Sequence, residues 1–231
     1  MGERVVFPSD GGTAEGYLAV PESGAGPAVI VVQEWWGLVG HITAVADRFA
    51  AEGFLALAPD LFHGTRTAEP DEGAKLMMAL EMDRAGRDIA GAASYLAELP
   101  ANSGTAIGCV GFCMGGSLAL WSATLCDDIA AAVGFYPAIP WERITPAWAN
   151  YAGKHAMIHA DEAEGGCAAA GLQSAITAIE QAGGGVTCFD YPGTQHAFFN
   201  DDRPEVYSET AAREAWSRTL NLFRAKLSEL S

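Results

Sequence analysis

V110-G-F-C-M-G-G-S-L-A-L-W121 lies near the middle of the 231-residue chain. The run AIGCVGF (106–112) that enters it is almost wholly apolar and reads as a buried strand, and GSLALW (116–121) continues as an apolar helical segment. Between them Gly111 and Gly115 flank Cys113 as G-x-C-x-G. This is the pattern of a sharp strand-to-helix elbow, in which a Cβ at either glycine would collide with neighbouring backbone. The apex residue of such a turn is lifted to the end of the sheet. A cysteine there also sits at a helix N-terminus, whose partial positive charge favours thiolate over thiol. Cys113 is therefore the candidate nucleophile, whereas Cys109, inside the strand, reads as core.

Working outward, apolar runs alternate with segments of helical period and mostly end at Gly, Pro, Asp or Asn. Strands are expected at RVVF, EGYLAV, AVIVVQE, FLALAPD, AIGCVGF, AAAVGFYP, AMIHA and VTCFDYP, with helices near 41–52, 70–98, 115–126, 168–182 and 207–229. The first two runs suit an antiparallel hairpin. The rest are apolar enough to be buried on both faces, as in a parallel sheet whose crossover helices cover both sides. The fold class is α/β, one domain over 1–231. Gly183–Gly185, between SAITAIEQA and VTCFDYP, reads as a helix C-cap and turn.

Composition excludes several functions. Thirteen Lys and Arg against 29 Asp and Glu leave a formal charge of -16, which repels nucleic acid and anionic membranes. MGERVVFPSD has no apolar signal core, Val6 does not suit a myristoylation signal, and no apolar run approaches the roughly 18 residues of a membrane span. Five cysteines (Cys109, Cys113, Cys126, Cys167, Cys188) form no CxxC or Cys/His spacing, so neither a disulfide framework nor a metal site is expected. A soluble protein of the reducing cytoplasm is the corresponding expectation.

In open α/β sheets chemistry gathers at the carboxyl ends of the strands. His196, in the turn after VTCFDYP, is the candidate base; His41, His63 and His155 are weaker competitors, and His159 within AMIHA reads as a packed residue. Asp161, directly after AMIHA, is the candidate acid, with Glu162 and Glu164 as neighbouring alternatives. The order Cys113, Asp161, His196 is the nucleophile, acid, base order of α/β hydrolases. Glu34 closes the apolar run before Trp35 and Trp36, so its carboxylate must be exposed, paired or raised in pKa. If its loop faces the elbow, the backbone NH groups of Trp35 and Met114 form an oxyanion hole.

Taken together, QEWWG, APDLF, GFCMGG and YPGTQHAFFNDDRPEVY resemble the dienelactone hydrolase family of α/β hydrolases over nearly the whole chain. The resemblance implies an α/β-hydrolase fold and a carboxylic ester or lactone hydrolase with a Cys113–His196–Asp161 triad and no metal or organic cofactor. It also implies that Glu34 controls thiol ionisation, the thiol staying protonated until bound substrate frees Glu34 to take its proton. The chain departs from the family where dienelactone-binding arginines are expected: the first falls near Pro70, and Arg203, seven residues after His196, is a displaced second. Arg84 and Arg87 are possible substitutes, and Glu162-Ala163-Glu164 replaces the Val-Pro-Pro often found after the family's acid. Trp35, Trp36, Phe198 and Phe199 suggest an apolar or aromatic ester, with Trp36, Phe198 and Arg203 as substrate-binding residues. The expected partner is a small-molecule ester or lactone, with no nucleic acid, membrane or obligatory protein partner. An aryl or short-chain esterase, a thioesterase and a noncatalytic binding protein on the same scaffold are the alternatives.

Overall fold

The computed structural model describes residues 2–228. Eight strands form, β1 (Glu3–Ser9), β2 (Gly12–Ala19), β3 (Gly26–Val32), β4 (Leu55–Pro59), β5 (Asn102–Phe112), β6 (Ile129–Phe135), β7 (His155–Asp161) and β8 (Gly185–Tyr191), matching the eight expected runs. They build one sheet in the order β1-β2-β4-β3-β5-β6-β7-β8. β1 and β2 pair antiparallel around a turn at Asp10 and Gly11, where Gly11 takes φ +84°. β2 also runs antiparallel to β4, and all remaining pairs are parallel.

Helices cover both faces, and β5 shows why its sequence is so apolar. A Cβ on Gly108 would meet Phe223 and Leu227 of α7 (Glu209–Leu227), whereas one on Gly111 would strike Gly115 in α4 (Met114–Leu125). Residues of opposite parity on one strand point to opposite faces, so β5 is sandwiched between these helices. On the α7 side, Phe49 of α1 (Gly40–Ala51) packs against Trp216 and Phe223 at centroid distances of 4.4 and 6.0 Å. On the α4 side, Gly86 of α3 (Met82–Glu98) lets Trp121 lie against its backbone.

Two expectations are corrected. The continuous helix over 70–98 is two helices, α2 (Pro70–Ala79) and α3, because Leu80 and Glu81 are extended. Neither Gly nor Pro marks this break; Leu80 leaves the helix to pack against the core, and tertiary burial overrides a local periodicity that runs on unbroken. The second correction concerns the cysteines. Cys167, in a 3-10 turn after β7, is disulfide-bonded to Cys188 in β8 across a sequence separation of 21. The turn folds back over the neighbouring strand, a contact that an odd cysteine count conceals. Cys109, Cys113 and Cys126 are free. Disulfides belong mostly to oxidising compartments, so the pair removes the ground on which a reducing compartment was inferred.

The turn at Gly183–Gly185 forms as expected: α6 (Ala170–Gln181) is closed by Gly183 at φ +82°, and Gly184 NH donates to Ile179 O. Among the described residues no helix is long and apolar enough to cross a membrane.

Candidate active site

Adjacent strands β3, β5, β6, β7 and β8 end on the same side of the sheet, which brings Glu34, Cys113, Tyr136, Asp161 and His196 to one edge. The elbow between β5 and α4 is tightly packed. A Cβ on Gly115 would lie 2.4 Å from Gln33 O and 2.5 Å from Val32 O, and one on Gly116 would lie 2.6 Å from Phe135 O. Backbone from both flanking strands thus presses on the turn, and Cys113 at its apex is held at φ +56°, a left-handed conformation costly for a residue with a side chain. Its own NH donates to Phe135 O at 3.0 Å and its carbonyl accepts from Ala138 NH at 3.2 Å. The cysteine is 6% exposed.

His196 is delivered by the turn after β8, with Gly193 at φ +75° before it and Ala197 at φ +70° after it. Its ring meets that of Tyr136 edge-on at 4.9 Å. Burial opposes a charge on this imidazole, but interaction with Cys113 and with Glu164 outweighs it and raises the pKa to about 10. On the other side of the ring, Nδ1 lies 3.2 Å from Glu164 Oε1 and 3.9 Å from Asp161 Oδ2. Neither contact has the alignment of a hydrogen bond, and Nδ1 is left without a directed partner. Asp161, the expected acid, is 2% exposed and accepts from Glu164 NH at 2.9 Å. Burial raises its pKa, while the interaction with His196 lowers that of Glu164. The nearer carboxylate is thus the exposed one of the two.

Glu34 is 1% exposed. Asn200 Nδ2 donates to its Oε2 at 2.8 Å, and its Oε1 has no partner. Burial raises its pKa, opposed by His41, Asn200, His196 and Arg203. Tyr136 completes this pocket of polar groups: its buried hydroxyl makes no hydrogen bond, and burial together with Glu34 and Cys113 pushes its pKa well above the usual phenol value. The NH groups of Trp35 and Met114 make no backbone hydrogen bond among the described residues, which leaves both free to donate.

Sequence reasoning missed Tyr136 and Asn200 beside the site, and the buried placing of His41, whose Nδ1 lies 3.1 Å from Asp201. Tyr136 has a weak signal, since it directly follows a strand flanking the elbow; its φ of +38° has none. His159, by contrast, is packed as expected, within 2.8 Å of Tyr191 Oη and 3.0 Å of Thr219 Oγ1. The substrate-binding candidates separate. Trp36 and Arg203 line a cavity of about 390 Å³ beside Asn200, together with His41, Pro70 and Glu205. Phe198 and Phe199 are fully buried, Phe198 packing on Tyr136 and Tyr191, so the expectation of Phe198 as a substrate contact is corrected: it supports the site from behind. Trp35 lies against Gly73 of α2. Arg84 and Arg87 border other depressions and do not substitute for the absent arginine. Asp161, Glu164 and His196 hold ligand atoms within 4.8 Å of one another, a spacing a metal ion would fit. Coordination would require neutral His196, the form its surroundings disfavour.

The sequence profile of the "Dienelactone hydrolase family" matches residues 14–227. "Protein usf" of Aquifex pyrophilus is 34% identical, covering 98% of this chain and 100% of that protein. A "Putative carboxymethylenebutenolidase" of Aquifex aeolicus is 32% identical over the same shares. The crystal structure of a "Putative Dienelactone Hydrolase" from Klebsiella pneumoniae superposes with a TM-score of 0.78 at 25% identity, covering 97% of this chain and 98% of that one.

Proposed function

The chain belongs to the dienelactone hydrolase family, and from that premise we propose that it hydrolyses carboxylic esters or lactones through Cys113, His196 and Asp161. The observation that carries this reading is the pairing of a cysteine strained at φ +56° on a glycine elbow with an imidazole whose pKa that cysteine helps raise to about 10. A cysteine beside an imidazole held in its protonated form is placed for thiolate chemistry, the imidazolium stabilising the thiolate once the thiol proton has left.

In the proposed cycle, the thiolate adds to the substrate carbonyl carbon, forming the C–S bond and moving the π electrons onto oxygen. The NH groups of Trp35 and Met114 hold this oxyanion. Its collapse breaks the C–O bond, and the departing alkoxide takes the proton from His196; in a lactone it remains tethered to the acyl group. His196 then removes a proton from water as the water adds to the thioester, and collapse of the second oxyanion expels the thiolate and releases the acid. Asp161 orients the imidazole. Glu34, with one carboxylate oxygen unpartnered beside the site, accepts the thiol proton when substrate enters. No step calls on a metal or organic cofactor.

The test compares wild type with C113A on p-nitrophenyl acetate and an unsaturated lactone. Wild-type turnover of at least one substrate, reduced about 10³-fold or more in the variant, is expected. The absence of Cys113-dependent turnover on both overturns the proposal. Relative rates on aryl, short-chain and thioesters then distinguish the hydrolase subclasses.

A further inference from the structure

The cavity beside Glu34 contains a cation that is already occupied. Arg203 Nε donates to Glu205 Oε1 at 2.9 Å, and its Nη2 lies 2.9 Å from the same oxygen. The guanidinium stands 5.9 Å from the centroid of the Trp36 ring. The turn carrying both residues is fixed by Arg203 NH to Asn200 O at 3.1 Å and by Val206 NH and Tyr207 NH to Arg203 O at 3.1 and 3.0 Å. Among the described residues that line the cavity Arg203 is the lone Arg or Lys, whereas Asp202 and Glu205 both line it. Behind the wall, Asn200 holds the Glu34 carboxylate and His41 faces Asp201. At about 390 Å³ the cavity is large enough for a small substrate group.

Resting on the hydrolase reading, we propose that this cavity selects uncharged acyl or alcohol groups against carboxylate-bearing ones, with Glu205 as the specificity-determining residue that occupies Arg203. An incoming carboxylate meets Asp202 and a guanidinium whose Nε and Nη2 already contact Glu205, so that little net positive charge is left to attract it. That internal competitor is attached two residues away, so its effective concentration exceeds that of a dilute substrate. An exposed ion pair of this kind adds little to stability. Its effect lies in competition, because Glu205 offsets the charge that would otherwise draw a second carboxylate to the guanidinium. An uncharged group faces no such competition and gains the contact with Trp36.

The test measures kcat/KM for p-nitrophenyl butyrate and mono-p-nitrophenyl succinate on the same preparations of wild type, E205Q and the E205Q/R203Q double variant. Wild type is expected to favour the neutral ester about tenfold or more. E205Q raises the anionic-to-neutral ratio about fivefold or more, and the double variant returns it toward the wild-type value. A ratio does not depend on the active fraction, so a poorly folded preparation does not mimic the result. A second readout needs no turnover: the rates of Cys113 alkylation by iodoacetate and iodoacetamide, followed by mass spectrometry, shift in the same direction in E205Q. Wild type that accepts both esters within twofold, or E205Q that leaves both ratios unchanged, overturns the proposal. Failure of both esters with a clear shift in alkylation ratio overturns the hydrolase reading while supporting the charge selection.

Discussion

Asp161→Asn and Glu164→Gln separate the two carboxylates that flank His196. Glu164 Oε1 is the nearer, 3.2 Å from Nδ1, but its side chain is 55% exposed. At that distance opposite charges attract by about 1.3 kcal/mol in a water-like dielectric and about 5 kcal/mol at an effective dielectric near 20. Exposure places this pair near the lower figure, so E164Q is expected to lower the His196 pKa from about 10 by roughly one unit. Its effect on kcat should stay within about tenfold. Asp161 lies farther off at 3.9 Å but is 2% exposed and fixed by the Glu164 amide. Asn at 161 presents an amide that can donate toward Nδ1 and favour the wrong tautomer, a change that costs about 10⁴ in kcat at a serine-protease triad. D161N is therefore expected to lose about 10³-fold or more in kcat. The assays are pH profiles of kcat/KM and NMR titration of isotopically labelled histidine. Near-normal kcat in D161N with collapse in E164Q would refute the assignment and make Glu164 the orienting acid.

Three further outcomes are expected. Gly115→Ala drives a Cβ to within 2.5 Å of two backbone carbonyls from the β3 end and should cost about 3 kcal/mol by urea unfolding; an unchanged midpoint contradicts the tight elbow. Glu34 has a raised folded-state pKa, so its favourable contribution is complete below the unfolded value near 4.5 and is lost as pH climbs through the folded value. Glu34→Gln should accordingly gain stability relative to wild type as pH rises above the unfolded value while losing ester turnover, and a pH-independent difference rules out burial of a charged carboxyl. Cys188→Ser opens a loop of sequence separation 21 and should lower stability by about 3 kcal/mol, a loss that dithiothreitol reproduces in wild type; insensitivity of wild type to the reductant argues against the bond.

The β-strands were legible because each core strand is buried on both faces and its sequence shows it directly, as in Val29–Val32 and Leu55–Ala58, all fully buried. Cys113, Asp161, His196 and Glu34 were legible for a related reason: each lies at or just beyond the end of such a run, and parallel topology sends those ends to one edge. Tyr136 and Asn200 were not, because a tyrosine or asparagine in a loop gains meaning only from what it faces. Here that is the carboxylate of a residue 166 positions away from Asn200. The break at Leu80 and the disulfide between Cys167 and Cys188 escaped for the same reason.

By itself, then, the amino-acid order determined the α/β architecture and the glycine elbow with Cys113 at its apex, since local sterics and strand burial act within a few residues. Only the tertiary structure decided that Glu164 stands nearer His196 than Asp161 does, that Phe198 is support and not surface, and that Arg203 is held by Glu205. Those are matters of side-chain direction and solvent exposure, which depend on how separate loops pack together.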